Sequence, residues 1–146
     1  MGKVKYIIIF CIVTAIAAGI GIGYRLTEKF DDTANMPADH LITDLNLIQE
    51  FQKNDRIANL KYSEKIITVT GLVTEVEHAN RTANIKMGDP ATGSYVIFAF
   101  QDKNLSEAKS IKKGDAIAIK GSCSGGAYSE IFAAEFITFK RCVLDK

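Results

Sequence analysis

Ile66-Ile67-Thr68-Val69-Thr70-Gly71-Leu72-Val73-Thr74-Glu75-Val76-Glu77 is the stretch on which the fold turns. It is long and rich in β-branched residues, whose stiff χ1 suits a pleated strand. Gly71 in its middle predicts a bulge or a sharp bend. The strand pattern recurs downstream. A polar connection, His78 to Thr82, leads to a short second strand, Ala83 to Met87. The cluster Gly88-Asp89-Pro90-Ala91-Thr92-Gly93 is a turn. Ser94 to Gln101 alternates, with Val96, Phe98 and Phe100 on one face and Tyr95, Ile97 and Ala99 on the other. Asn104 to Ile111 has room for one or two helical turns. Lys112-Lys113-Gly114-Asp115 turns into a fourth strand, Ala116 to Cys123, and Ser124-Gly125-Gly126 reads as the opening of a loop. The last strand carries Phe136, Thr138, Lys140 and Cys142 and runs to about Leu144.

A helix precedes these strands. Thr43 is a good N-cap, because its hydroxyl can accept from the unpaired N–H groups of the first turn. Ile42 and Leu47 stand at the staple positions, and Asp44 suits the positive end of the dipole. Leu45, Ile48 and Phe51 make an apolar stripe that weakens at Gln52 to Arg56 and resumes at Ile57, Ala58 and Leu60. The expected helix therefore runs from about Asp44 into the mid-fifties or to Asn59 and packs on the domain behind it. The order strand, strand, strand, short helix, strand, strand, with a long bent first strand, suits a closed sheet, because closure removes exposed edges. The predicted fold is mainly β: a five-stranded OB-type barrel behind one α-helix. An open sandwich of the same strands is the alternative.

The chain has 146 residues, 47% hydrophobic and 24% charged, with 18 Lys+Arg against 17 Asp+Glu. This length supports one ordinary domain, and the apolar fraction excludes a disordered chain. The apolar residues are unevenly placed. Ile7 to Tyr24 carries no charge, and at about 1.5 Å per residue it nearly covers a hydrocarbon core of ~30 Å. Residues 1–24 are thus expected to be an N-terminal transmembrane helix. Lys3 and Lys5 hold its start in the cytoplasm, while Arg25 and Lys29 weaken that bias. A cleavable signal peptide ending at Ala15-Ile16-Ala17 is the alternative. Ala15, Gly19 and Gly23 form a small-residue face, common in such segments, that can also bring two helices together. Residues 25–40 read as a linker and 41–146 as the domain. Both readings place the domain on the extracytoplasmic, periplasmic side of the inner membrane. Without Lys3 and Lys5 the chain has one more acidic than basic residue. That balance disfavours a phosphate-backbone partner.

Several segments carry a resemblance. They are Ala58-Asn59-Leu60-Lys61-Tyr62, Val69-Thr70-Gly71-Leu72-Val73, Val96-Ile97-Phe98-Ala99-Phe100, Lys112-Lys113-Gly114-Asp115, Ile119-Lys120-Gly121-Ser122-Cys123 and Cys142-Val143-Leu144. With these the chain, over roughly Leu41 to Lys146, resembles the tRNA_anti-like group of OB-fold domains, found in bacterial proteins often behind an N-terminal membrane segment. The resemblance implies the fold well and an activity poorly. The stretch Ile131-Phe132-Ala133-Ala134 is unusually apolar for the group, so the last strand is expected to begin early or the loop to pack down.

Cys123 and Cys142 lie near the ends of consecutive strands. They face each other if the connection centres near Phe132 and fall out of register if the turn is at Gly125-Gly126. An exported domain permits a Cys123–Cys142 disulfide, worth about 3 kcal/mol on the chain-entropy argument; two buried thiols are the alternative. No CxxC is present, and His40 and His78 lack second ligands at useful spacing, so both read as solvated loop residues and no metal or cofactor is expected. Ser122 and Ser124 lack a His–Asp set, and no catalytic residue stands out. Ligands of OB barrels sit on the face of strands two and three between the flanking loops. There the sequence offers Asn80, Arg81, Lys86, Tyr95 and Tyr128 as candidate binding residues, aromatic and basic groups that could stack and pair with a base or sugar, or simply form a solvated face. The expected function is a membrane-held, non-enzymatic binding or interaction module for a protein, glycan or small molecule. A single-stranded nucleic-acid binder is the alternative.

Overall fold

The computed structural model describes residues 32–101 and 104–146, the second of two compact units into which the chain divides. The expected transmembrane segment, residues 1–24, lies outside the described residues, as does residues 25–31 of the expected linker. Among the described residues no helix is long and apolar enough to cross a membrane. The remaining stretch read as linker holds a 3-10 turn, Thr33–Asn35, with Thr33 buried and Lys120 donating to the carbonyl of Ala34 at 3.2 Å.

A short strand, β1 (His40–Thr43), follows where none was expected. It runs parallel to β2 (Ile66–His78), with His40 beside Ile67 and Thr43 beside Thr70. Thr43 then caps α1 (Asp44–Lys53), its hydroxyl accepting from the Asn46 N–H at 3.3 Å. Leu47, Ile48 and Phe51 are fully buried. The single helix expected here is two. At Asn54 the backbone turns extended (φ −166°, ψ 99°), and the Asn54 side chain accepts from the Ile57 N–H at 3.0 Å to start α2 (Asp55–Tyr62). The weakened stripe at Gln52 to Arg56 marks this junction: an Asn side chain competes with the helix for backbone partners.

The remaining elements are β3 (Thr82–Gly88), β4 (Tyr95–Gln101), a short helix α3 (Leu105–Ala108), β5 (Ala116–Ser129) and β6 (Ala134–Leu144). Neighbours run β1-β2-β3-β4-β6-β5, and β5 pairs again with β2. Strands β2 to β6 therefore close into the five-stranded barrel the sequence predicted, with β1 as an added edge. β2 closes it by serving both sides. Its first half, to Leu72, pairs with β5, and its second half, from Val73, pairs with β3 across a bulge at Val73/Glu75. The bend lies next to Gly71, where a β-carbon would stand 2.5 Å from the Asp44 carboxyl carbon, so only glycine fits under the start of α1. The core is Ile67, Val69, Ile85, Met87, Val96, Phe98, Phe100, Ile119, Ile137 and Phe139, plugged at one end by α1 and α2.

The β5–β6 hairpin departs from expectation. Ser124-Gly125-Gly126 is strand, not loop, and β5 continues to Ser129. Asn59 of α2 holds this stretch, its amide donating to the Gly126 carbonyl at 2.8 Å and accepting from the Gly126 N–H at 2.9 Å. β6 does begin early, at Ala134, but the turn does not pack down: Ile131 is 89% and Phe132 71% exposed. The turn puts Ser129 opposite Ala134, a register that would bring Cys123 opposite Lys140, and the bulge at Cys123/Gly125 moves it one residue further, so Cys123 faces Phe139 rather than Cys142. Both cysteines are buried free thiols, and the expected disulfide is absent among the described residues. Burial pushes the Cys123 thiol up to about 11 and the Cys142 thiol higher still.

Candidate functional site

Alternation sets the outer face. Tyr95 and Ile97 point away from the buried Val96 and Phe98, and Lys86 points away from Ile85 and Met87. The β4–β6 pairing, parallel and between strands distant in sequence, then places Phe136 beside Tyr95. Their ring centroids lie 4.6 Å apart, and Phe132 of the turn meets Phe136 edge-on at 5.7 Å. Tyr95, Phe136 and Phe132 thus form a continuous aromatic row from β4 to the hairpin tip. Lys86 closes the other end, its Nζ 5.4 Å from the Tyr95 ring centroid.

Lys86 is not a free cation. Its Nζ donates to Glu77 at 2.7 Å and to Glu75 at 3.1 Å. The hydrogen bond to Glu77 raises the Lys86 pKa, and the same bond lowers that of Glu77. Two carboxylates around one ammonium leave this end of the face slightly acidic, a poor cradle for phosphates.

The five candidates do not all meet. Lys86 and Tyr95 share the face. Asn80 and Arg81 are exposed in the β2–β3 connection, at the far end of β3, because Thr82 pairs with Gln101 whereas Gly88 pairs with Tyr95. Along β3 that is a separation of roughly 20 Å at ~3.3 Å per residue. Tyr128, 52% exposed, stands opposite Glu135, whereas the outer-face residue Phe136 stands opposite Ala127. Tyr128 is therefore on the other face of the hairpin, apart from Tyr95. Phe132 and Phe136 were missing from the candidate set. The alternation of Phe136 with Thr138 was a legible sign that its ring points outward, but its neighbour Tyr95 is supplied only by tertiary pairing.

Two histidines complete the inventory. His40 is a strand residue, not a loop residue, its ring edge-on to Tyr62 at 5.2 Å. His78 is exposed at the end of β2. Among the described residues no group of three His, Cys, Asp or Glu could hold a metal.

A groove of about 840 Å³ is lined by α1, by β2 around Gly71 and by the start of β5. A smaller hollow of about 260 Å³ adjoins it through Thr74, Gly88 and Pro90 and reaches Lys86 and Tyr95. No sequence feature announced the groove, since it exists only where β1 stops and β3 has not begun.

A lipoprotein from Klebsiella pneumoniae subsp. pneumoniae MGH 78578, for which nucleic-acid binding has been proposed, has a similar crystal structure: TM-score 0.60 and 18% identity over 76% of this chain and all (100%) of that one. Fainter likenesses include the OBody AM3L09 bound to hen egg-white lysozyme (TM-score 0.44, 15% identity, 57% of this chain and 84% of that chain). Another is the replication factor A related protein of Methanobacterium thermoautotrophicum (TM-score 0.42, 17% identity, 57% and 81%). No curated protein matches the sequence. The tRNA_anti-like family matches residues 1–134. With the closed five-stranded barrel and its leading helices, that match makes the chain a member of the tRNA_anti-like family of OB-fold domains.

Proposed function

We propose that this chain is a membrane-tethered, extracytoplasmic interaction module, without catalytic activity, that docks a protein partner through the Tyr95–Phe136–Phe132 row and the adjoining Ile131. The observation that carries the reading is the exposed tip. A turn that leaves Phe132 71% and Ile131 89% exposed, continuous with the tilted and edge-on rings of the barrel face, has the aromatic anchor composition of a protein interface. The uncharged run Ile7 to Tyr24 supports the tether and its flanking lysines the orientation. The burial of Ser122 and the separation of His40 from His78 support the absence of catalysis.

The same rings favour a second reading, a single-stranded nucleic acid stacked along the row; nucleic-acid binding, with no mode given, has been proposed for the Klebsiella lipoprotein. The pairing of Lys86 with Glu75 and Glu77 places it second.

A benzophenone-bearing phenylalanine at position 132 of the full chain, photolysed in intact cells, tests both. A nuclease-resistant protein adduct at position 132, absent when the probe stands at position 113, supports docking. A nuclease-sensitive adduct transfers the row to nucleic acid, and equal trapping at both positions refutes it as a site. Protease added to intact spheroplasts checks placement: a domain cleaved only after lysis overturns the extracytoplasmic side.

A further inference from the structure

The groove beside α1 meets the aromatic row only through the small hollow at Thr74, Gly88 and Pro90 and has its own chemistry. β1 ends with Thr43 beside Thr70, and β3 first pairs with β2 at Val73. Between them the edge of Gly71 and Leu72 that faces away from β5 has no strand against it among the described residues. Leu45, Leu72, Pro90 and Ile117 wall this seam, and Thr43, Asn46, Thr70 and Thr74 line it with hydroxyl and amide groups.

Asp44 lies at the floor, only 7% exposed, its carboxyl group packed on the Gly71 backbone. Its Oδ1 accepts from the Leu45 N–H at 2.8 Å. Among the described residues that line the groove, Asp44 alone is ionisable. Burial raises its pKa, its backbone hydrogen bonds lower it, and the charge that acts on it is a second carboxylate, Asp89. The groove therefore combines apolar walls with a negative floor that no cation among the described lining residues neutralises. Asp44 already occupies the anion-favouring helix start, which excludes an anionic ligand. Among the described residues no metal-holding group of three exists, which leaves an organic cation.

We propose that the groove binds an aliphatic primary amine or guanidinium, the chemistry of a basic side chain presented by a peptide: its ammonium on Asp44 and its methylenes against Leu45, Leu72 and Ile117. This goes beyond the docking row and does not depend on it, since none of Tyr95, Phe136 or Phe132 lines the groove.

The test uses the full chain in phosphatidylcholine nanodiscs with n-hexylamine as probe, n-hexanol as neutral control and hexanoate as anionic control, read by amide chemical shifts. Saturable shifts at Leu45, Asn46, Gly71 and Leu72 with hexylamine are expected. Hexanol binds at least about tenfold more weakly, equivalent to ~1.4 kcal/mol, and hexanoate not at all. Asp44→Asn keeps an oxygen for the Leu45 N–H and lowers hexylamine affinity by about tenfold or more. Leu72→Ala, on an exposed wall, weakens amine and alcohol alike. Equal binding of amine and alcohol, an unchanged affinity in Asp44→Asn with a native spectrum, or shifts that map elsewhere each overturn the proposal. If Asp44→Asn fails to fold, the amine-against-alcohol comparison on the unaltered chain decides alone.

Discussion

Asn59→Ala tests why β5 runs straight through two glycines. The Asn59 amide makes both backbone bonds of Gly126, at 2.8 and 2.9 Å, and its Oδ1 also accepts from the Ser63 hydroxyl at 3.2 Å. Truncation leaves the half-buried Gly126 N–H and carbonyl without their partner. At about 1 kcal/mol net per bond, the two contacts to Gly126 are worth ~2 kcal/mol. Alanine is the better helix former in α2 and returns roughly 0.5 kcal/mol. The net loss is about 1.5 kcal/mol. At roughly 4 °C per kcal/mol for a domain of this size, Tm falls by about 6 °C. The assay is thermal unfolding of the full chain in nanodiscs by near-ultraviolet circular dichroism, with hydrogen exchange at Gly126. Leu60→Ala, in the same helix and 81% exposed, is the control and leaves Tm unchanged. A Tm drop below about 2 °C, or unaltered protection at Gly126, refutes the claim that Asn59 holds the hairpin.

Other outcomes follow from the same structure. Gly126→Ala places a β-carbon 2.7 Å from the Phe51 ring and 3.0 Å from Ile137 Cγ1; overpacking of this kind destabilises by about 1–3 kcal/mol, read as a lower urea midpoint. Glu135→Gln raises stability at neutral pH. The Oε2 of Glu135 is buried without a hydrogen-bond partner, and burial, then Asp55, raises its pKa. The folded state thus holds the proton more tightly than the unfolded state. Glu135 therefore takes stability away as pH rises from the unfolded pKa through the folded one, and Tm curves of the two proteins should converge near pH 4 and separate by pH 7. Cys123 and Cys142 stay unlabelled by maleimide in the native chain and both label after denaturation without reductant; a disulfide would leave both unreactive.

The fold was legible because it depends on local pattern. β-Branched runs, alternation in Ser94 to Gln101, the Thr43 cap and the turn clusters each act over a few residues. The bend near Gly71 was readable too, although its cause, the Asp44 carboxylate, comes from another element. Asn54 shows the limit: a side chain that caps one helix by ending another looks in sequence like a weak spot in one stripe.

What tertiary structure alone decided is the partnering of distant strands. Gly125 and Gly126 have a loop composition, and Asn59 and Phe51, far along the chain, make them strand. The hairpin register that parts Cys123 from Cys142 has no local signature, because register is a property of a pair. The aromatic row needed Tyr95 and Phe136 to become neighbours through a parallel pairing across the barrel closure. The groove needed β1 to stop short of β3. Sequence patterning specifies which face of each strand is greasy. The geometry of closure specifies which of the remaining side chains meet, since a closed sheet leaves each strand one set of neighbours.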